Sequence, residues 1–235
     1  MKKNLSIVIP CYNEANSLQK LIDQCINSLC INNIEVILVD NGSTDDTENI
    51  FNKNISRHPL FKTYKLEENK GYGGGILYGI SKANGNYLGW THADHQTDPN
   101  DVLKAFDLLK TSSGLVKGRR INRPYKDKIF TICMAVFESI IFRKVLWEIN
   151  AQPTIFSRDF FYSLKNPPND FSLDLYIYVL AKQHNLKIQK FDVLFPERFH
   201  GQSSWNTGLG AKINLIFKTV SYSLKLKNSL LKNSH

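Results

Sequence analysis

Leu5-Ser6-Ile7-Val8-Ile9-Pro10 is a largely apolar run that ends in proline, and the polar cluster Tyr12-Asn13-Glu14 follows it almost directly. A short apolar run closed by a breaker is typical of a buried strand. The same arrangement recurs at Glu35-Val36-Ile37-Leu38-Val39, which leads into Asp40 and the turn Asn41-Gly42-Ser43. Strands that deliver polar groups at their carboxyl ends predict a ligand site at one edge of a sheet.

Strands and helices alternate through the rest of the first half. The pattern predicts helices at 15–29, from Thr44, at 75–83 and at 99–110, and further strands at 61–66, 87–91 and 114–118. The glycines at 71–75 are interpreted as a tight loop, since a dinucleotide-binding fingerprint would need glycine in place of Ile76 and would follow the first strand. The alternation predicts an α/β fold whose mainly parallel central sheet is flanked by helices.

Composition narrows the class of protein. The 235 residues suit one domain spanning 1–235, and the net charge of +9 favours partners that carry phosphate. The four cysteines form no CxxC pair, which indicates reduced thiols in a cytoplasmic protein. No apolar stretch is long enough to span a bilayer, and the first apolar run is too short for a signal peptide.

Two segments of the second half are predicted to be amphipathic helices. Residues 129–147 are apolar and aromatic with a few charges, and residues 209–231 alternate apolar clusters with lysines and contain no acidic residue. The second composition is typical of a helix that lies on an anionic membrane surface. Packing of each apolar face on the domain is the alternative, because lysines on an exposed helix face are common.

The loop after the fourth predicted strand, His92-Ala93-Asp94-His95-Gln96, is a candidate metal site. Asp94 and Gln96 offer hard oxygen ligands, and residues two apart in an extended loop face the same way and can share one cation. An ordinary polar loop is the alternative. Helix capping is likewise the alternative for Asn13 and Asp45.

Taken together, the motifs resemble the family 2 glycosyltransferases and are most similar to the dolichol- and polyprenyl-phosphate sugar transferases. The resemblance is carried, in order, by Ser6–Glu14, Val39–Asp45, Asn69–Gly73 and Ala93–Gln96. It implies a GT-A fold, a nucleotide-diphosphate sugar donor, a divalent metal (Mg²⁺ or Mn²⁺) and inversion at the anomeric carbon. Residues 1–120 would form the nucleotide-sugar-binding half and residues 121–235 the acceptor side.

The resemblance also implies roles for individual residues of the first half. Contacts to the nucleotide are expected from Pro10, Tyr12, Asn13, Glu14, Asp40, Lys70 and Ala93. Asp94 and Gln96 would bind the metal, and Asp94 is also expected to act in catalysis. The family's first DxD acid is His92 here, and a neutral imidazole binds Mg²⁺ less readily than a carboxylate does.

In the second half, the resemblance assigns three further catalytic candidates. Arg120 matches an arginine that meets phosphate, and Asp174 stands where the family has an acid near the reaction centre. Arg198 lies in a loop that closes over phosphates, although Ser204-Trp205 replaces the lysine that often ends this loop. Residues 149–158 resemble the acceptor-side segment of a lipopolysaccharide-linked subgroup, which points to cell-envelope biosynthesis.

The acceptor is expected to be polyprenyl phosphate or a cell-surface saccharide, reached from the cytoplasm or from the inner face of the membrane. An anionic phosphate oxygen needs no base, so Asp174→Asn would cost little with that acceptor and much with a saccharide. Alternatives are a soluble transferase that extends a saccharide and a catalytically weak relative that only binds a nucleotide sugar. Nucleic-acid binding is not expected, because the basic residues cluster in the C-terminal tail and not among aromatic stacking platforms.

Overall fold

The computed structural model describes residues 4–30, 33–54, 58–112, 114–123, 125–196 and 209–232. Its strands are β1 (Leu5–Cys11), β2 (Ile34–Asn41), β3 (Phe61–Leu66), β4 (Tyr87–Trp90), β5 (Leu115–Ile121), β6 (Thr154–Ser157) and β7 (Ile188–Leu194). Its helices are α1 (Ala15–Leu29), α2 (Thr47–Asn54), α3 (Gly71–Ser81), α4 (Pro99–Ser112), α5 (Tyr125–Phe142), α6 (Arg158–Tyr162), α7 (Leu173–Gln183) and α8 (Leu209–Lys232).

The seven strands form one sheet in the order β3-β2-β1-β4-β6-β5-β7. Six of them run parallel, and β6 runs antiparallel to its neighbours β4 and β5. The predicted α/β fold with a mainly parallel central sheet is therefore confirmed. Because β1, β2 and β4 are adjacent and parallel, the loops that follow them meet at one edge of the sheet.

The core lies on both faces of the sheet. Alternate side chains of β1 enter different clusters: Ile7 and Ile9 pack with α1 and α4, whereas Val8 packs with α3 and α7. Every residue of β2 is buried, which explains its nearly continuous apolar sequence.

Helix α3 begins at Gly71, so the predicted start at Gly75 and the loop interpretation of residues 71–75 are wrong. Glycine lowers helix propensity, but packing decides here. A Cβ on Gly73 would lie 2.6 Å from the carbonyl oxygen of Pro168, and one on Gly79 would lie 2.4 Å from Val8 Cγ1. The glycines allow the helix to lie directly against the sheet and against residues 168–170.

The ends of β5 and α5 also differ from the sequence prediction. Strand β5 continues to Ile121, so Arg119 and Arg120 lie on the strand and not after it. Helix α5 ends at Phe142 and does not reach Trp147, because Arg143 adopts a left-handed conformation (φ 51°) that turns the chain. The predicted helix near the C-terminus is confirmed as α8. Across the described ranges, no helix combines the length and the apolarity that crossing a bilayer requires.

Candidate active site

The loops that follow β1 and β2 are joined by hydrogen bonds. The backbone N–H of Asn13 donates to Ser43 Oγ at 3.0 Å, and Asn13 Oδ1 accepts from the Thr44 N–H at 2.8 Å. Asn13 has a φ of 55°, a conformation that asparagine tolerates better than most residues. Asn13 therefore links the two loops through both its backbone and its side chain.

Asp45 holds the beginnings of two helices. Its Oδ2 accepts from the N–H of Ala15, the first residue of α1, and its Oδ1 accepts from the N–H of Thr47, the first residue of α2. A carboxylate at a helix N-terminus satisfies free N–H groups and is favoured by the helix dipole. This bears out the capping interpretation of Asp45.

The side chains expected to bind the nucleotide lie at this edge of the sheet. Asp40 is the second-last residue of β2 and is buried, and its Oδ1 accepts from the N–H of Ser43 at 2.9 Å. Its Oδ2 has no partner among the described residues, so the carboxylate retains an acceptor. Tyr12 is 46% exposed, whereas the Glu14 carboxylate accepts from Ser17 Oγ at 2.6 Å.

Three more of the residues expected to contact the nucleotide, Lys70, Ala93 and Pro10, are less accessible or already have partners. The Lys70 ammonium pairs with Glu68, and its backbone N–H donates to Asn41 Oδ1 at 3.1 Å. Ala93 is buried beside Asp94. Pro10 packs against α3, since a Cβ added to Gly75 would lie 3.2 Å from the Cβ of Pro10.

The loop after β4 is a closed turn, so the expectation of an extended loop is wrong. Thr91 Oγ1 and Thr97 Oγ1 are hydrogen-bonded at 2.8 Å across its base. Asp94 Oδ1 accepts from the N–H of Gln96 at 3.1 Å, and the Gln96 amide donates to the carbonyl of Pro196 at 3.0 Å. Local bonds of this kind, and not alternation along a strand, orient Asp94 and Gln96.

His92 and His95 have different surroundings within this turn. The His95 ring is hydrogen-bonded to Gln24 Oε1 and to the carbonyl of Ser17, which ties the turn to α1. The His92 ring stacks on Tyr72 with centroids 5.8 Å apart, and Tyr72 stacks on Phe171 at 5.0 Å. His92 therefore belongs to an aromatic stack that joins the turn to α3 and to the segment before α7.

Asp174 lies at the centre of a buried polar network. Its Oδ2 accepts from the Tyr72 hydroxyl at 3.0 Å, and its Oδ1 accepts from Gln152 Nε2 at 2.8 Å. The Lys117 ammonium lies 3.5 Å from the same Oδ1 and donates to Thr154 Oγ1 at 2.6 Å. The Asp174 side chain is only 2% exposed and that of Lys117 is fully buried.

The network changes the acidity of its members. Burial lowers the pKa of Lys117, although the Asp174 charge opposes this effect. Burial and then the Asp174 charge raise the pKa of Tyr72 well above its ordinary value. Resemblance identified Asp174 as a candidate, but no feature of the sequence was taken to give Lys117, Tyr72 or Gln152 a role in the site. A lysine inside the apolar strand Leu115-Val116-Lys117 was the available signal.

A second charged cluster surrounds Arg120. Its Nε donates to Glu148 Oε2 at 2.6 Å, and Arg123 Nη1 lies 3.8 Å from the other oxygen of that carboxylate. Both guanidinium groups lie over the Phe195 ring, at 5.3 and 5.7 Å. The cluster thus contains two guanidinium groups and one carboxylate. Its net positive charge favours the binding of an anion. Arg198 lies outside the described residues.

The residues present fit a metal that arrives with its ligand. Among the described residues, no group of three or more His, Cys, Asp or Glu side chains is arranged to hold an ion. Asp94 and the Gln96 carbonyl oxygen, the two ligands expected from the sequence, would supply at most two of the oxygen atoms around such a cation. Magnesium is often bound in this way, by one or two carboxylates together with substrate phosphates.

The fold is shared with solved glycosyltransferases of the GT-A class. Glucosyl-3-phosphoglycerate synthase from Mycobacterium tuberculosis, solved with Mn²⁺, UDP and glucosyl-3-phosphoglycerate, matches with a TM-score of 0.72 at 18% identity, over 96% of this chain and 80% of that one. The mannosyltransferase PcManGT from Pyrobaculum calidifontis, in complex with GDP-Man and Mn²⁺, matches with a TM-score of 0.64 at 20% identity, over 85% and 59%. These likenesses establish a GT-A fold.

Sequence comparison establishes the family. The chain belongs to glycosyl transferase family 2, whose family model matches residues 6–165. It is 30% identical over 129 residues to dolichyl-phosphate beta-glucosyltransferase from Dictyostelium discoideum, covering 49% of this chain and 39% of that protein. It is 29% identical over 116 residues to dolichol-phosphate mannosyltransferase from Pyrococcus furiosus, covering 49% and 33%. The chain thus spans less than half the length of the curated relatives it matches.

Proposed function

We propose that the chain is an inverting glycosyltransferase that moves a sugar from a nucleotide-diphosphate sugar to polyprenyl phosphate. The observation that carries the donor half of this proposal is the convergence of three loops at one edge of the sheet. Tyr12 and Asp94 lie in the loops after β1 and β4, and Asp40 lies near the end of β2, so all three are at the carboxyl ends of adjacent parallel strands. Ligands of open α/β sheets bind at this edge.

The donor would bind with its nucleoside across β1 and β2. Asp40 retains an acceptor oxygen for a base or ribose donor, and the exposed Tyr12 ring offers a face for the base. The diphosphate would lie against Asp94 and Gln96. A divalent cation bound there would offset the charge that the diphosphate gains as the glycosidic bond breaks. Solved neighbours that hold GDP-Man with Mn²⁺ or UDP with Mn²⁺ support this arrangement.

The state of Asp174 favours a phosphate acceptor over a saccharide. A general base must lie within hydrogen-bond reach of the proton that it removes. Asp174 is buried, and both of its oxygens already accept hydrogen bonds, from Tyr72 and Gln152. A phosphate oxygen is anionic and needs no base, so Asp174 can act by fixing Tyr72 and Gln152. The names of the dolichyl- and dolichol-phosphate relatives point to the same acceptor class.

Transfer would proceed as a single displacement. The acceptor phosphate oxygen attacks the anomeric carbon as the bond from that carbon to the diphosphate breaks, and the configuration inverts. Arg120 and Arg123 would stabilise negative charge on the acceptor or on the leaving group. Glu148 holds both guanidinium groups in place before any substrate arrives. Arg198 would add a further cation.

A catalytically weak relative that only binds a nucleotide sugar is the second candidate. The observation that favours it is His92, which stands in place of an acid and stacks on Tyr72. Metal-dependent hydrolysis of the donor would exclude this candidate.

A polyprenyl-phosphate acceptor would place the protein at the cytoplasmic face of a membrane, and α8 exposes Phe217 and Leu224 beside its lysines.

The test begins with the donor. The protein is scanned by thermal shift with UDP, GDP, CDP and dTDP, each with Mn²⁺, Mg²⁺ or EDTA. The matching labelled nucleotide sugar is then offered with polyprenyl phosphate or with a free saccharide. We expect one diphosphate to stabilise the fold only with metal, and we expect label to move to the polyprenyl phosphate.

Two substitutions sharpen this test. Asp94→Asn should lower transfer by roughly 100-fold or more, since it removes a charged group at the reacting diphosphate. Asp107→Asn, which changes an exposed aspartate on α4, should leave transfer unchanged. Transfer that persists in Asp94→Asn would contradict the donor site. Transfer only to a saccharide would contradict the acceptor and leave the donor site standing.

A further inference from the structure

Helix α5 exposes an apolar stripe that leads to its C-terminal end. Ile129, Cys133, Val136 and Ile140 are all exposed and follow helical spacing, so they form one stripe along α5. After the helix ends, Val145 and Trp147 continue this surface. The α5 corner is defined here as Ile129, Cys133, Val136, Ile140, Arg143, Lys144, Val145 and Trp147.

The corner also contains a cavity. It has a volume of about 440 Å³ and lies between the last turns of α5 and residues 143–147. Ile140 is 72% exposed and Val145 is 79% exposed at its rim, whereas Leu146 below them is buried. Single exposed apolar side chains are ordinary on a protein surface, but a stripe that leads into an apolar cavity marks an interaction site.

The charges of the corner select its partner. Arg143 and Lys144 lie at the cavity, and none of the side chains that define the corner is acidic. Two acids close to it in sequence are buried: Glu138 accepts from Ser223, and Glu148 is paired with Arg120. Apolar side chains with cations such as Arg143 and Lys144 beside them match the interface of an anionic bilayer, where acyl chains lie beneath phosphate groups.

We infer that the α5 corner docks on an anionic membrane, with Ile140, Val145 and Trp147 entering the acyl region and Arg143 contacting lipid phosphate. The inference deepens the proposed function by placing the membrane contact, but the binding itself does not require transfer activity. Glu148 follows Trp147 and bonds to Arg120, so the corner lies next to the proposed phosphate cations. A lipid phosphate acceptor could therefore reach Arg120 from the surface on which the protein sits.

The experiment measures partitioning of the full chain onto sedimented vesicles. One set contains phosphatidylcholine alone, and the other contains about one-third phosphatidylglycerol. We expect binding to the anionic vesicles that weakens with salt. Ile140→Ser with Val145→Ser should lower the partition coefficient by roughly tenfold or more, because two apolar side chains no longer enter the membrane. Arg143→Gln should lower it about fivefold on anionic vesicles only.

Variants at other exposed apolar side chains show whether the α5 corner or another surface binds the vesicles. Tyr162→Ser, at an exposed apolar side chain on α6, should bind like the parent. Phe217→Ser tests α8, and loss of binding in that variant alone would overturn the inference. Self-association that the Ile140 and Val145 substitutions abolish, with vesicle binding unchanged, would also overturn it, because the corner would then bind a second copy.

A second measurement does not depend on how much protein sediments. Vesicles with brominated acyl chains quench tryptophan that enters the acyl region, and Trp147→Phe should remove most of this quenching. Unchanged quenching in Trp147→Phe would contradict insertion of the corner. Donor-induced thermal shifts measured on the same variants keep the two proposals separate, since membrane binding can fail while donor binding persists.

Discussion

Lys117 and Asp174 form a buried ion pair, with the ammonium nitrogen 3.5 Å from Oδ1. Removing one partner of such a pair leaves an uncompensated buried charge, which typically costs about 3–5 kcal/mol. We expect Lys117→Met to lower the free energy of unfolding by this amount. Lys117→Met combined with Asp174→Asn should recover part of the loss, because neither charge then remains. Urea unfolding at neutral pH measures both.

The control for this cycle is an exposed pair. Lys110→Met removes the partner of Asp107 on the surface of α4, and exposed pairs contribute only about 0–1 kcal/mol. If Lys117→Met and Lys110→Met lower the free energy of unfolding equally, the buried pair contributes no more to stability than the exposed one. The same outcome would show that Lys117 does not hold Asp174 in place.

At single residues, the sequence predicted the positions that a motif names and missed the partners that hold them. Asp40 lies near the end of a strand, Asp94 follows a strand and Asp174 lies in the first turn of a helix, so pattern and resemblance locate them. Tyr72 reaches Asp174 across 102 residues of chain, a separation that local pattern does not encode. The roles of these residues in binding and catalysis stay predictions that the donor panel can test.

Among the elements, α3 depends most directly on glycine. A Cβ on Gly79 would lie 2.4 Å from Val8 Cγ1 and 3.0 Å from Val39 Cγ2, so Gly79→Ala forces α3 away from the sheet. Overpacking of this kind costs about 1–3 kcal/mol. Gly210 on α8 meets nothing within 4 Å, so Gly210→Ala should be neutral or stabilise by up to about 1 kcal/mol. Thermal unfolding of the two variants gives opposite shifts if packing sets these effects.

The contact between α5 and α8 contains a titratable group. Ser223 Oγ donates to Glu138 Oε1 at 2.7 Å, and Glu138 Oε2 has no partner within the described ranges. Burial raises the pKa of Glu138 to about 7. The folded state therefore holds this proton at pH values where the unfolded chain has released it, and stability falls as pH rises from about 4.5 to 7.

Glu138→Gln isolates this effect, because glutamine remains neutral and can still accept from Ser223. We expect the parent to lose roughly 1–3 kcal/mol between pH 5 and pH 8 relative to Glu138→Gln. Urea unfolding across this range measures the difference. Glu48→Gln, at an exposed glutamate, should follow the parent at every pH. Parallel pH profiles for the parent and Glu138→Gln would contradict a protonated Glu138.

The bounds of helices and strands were predicted correctly where the apolar pattern was clear. They were predicted wrongly where contacts between distant parts of the chain determine the bounds. Helix α1 and strand β3 have the predicted bounds, since their patterns are clear and breakers flank them. Helix α3 begins four residues early because its glycines are selected by close approach to residues 168–170. Strand β6 has only four residues and a central position, and so short a run gives little sequence signal.

For the whole molecule, the strand order joins the two halves of the chain. β6 comes from the second half but lies between β4 and β5, which come from the first, and β7 pairs with β5. Neither half can complete the sheet alone, because separation would leave strand edges unpaired. The sequence predicted the parallel character of the sheet but not this interleaving, which depends on contacts between residues far apart in the chain.

We therefore expect thermal unfolding to be a single transition that a donor-site ligand moves as a whole. A ligand at 100 times its Kd stabilises the folded state by about 2.7 kcal/mol. For a chain of this size each kcal/mol raises Tm by about 2–4 °C, so the shift should be roughly 5–10 °C. Calorimetry with the diphosphate and metal chosen by the panel measures it, and Asp94→Asn should abolish the metal-dependent part. Two resolved transitions, of which the ligand moves only one, would show that residues 1–120 and 121–235 unfold separately despite the shared sheet.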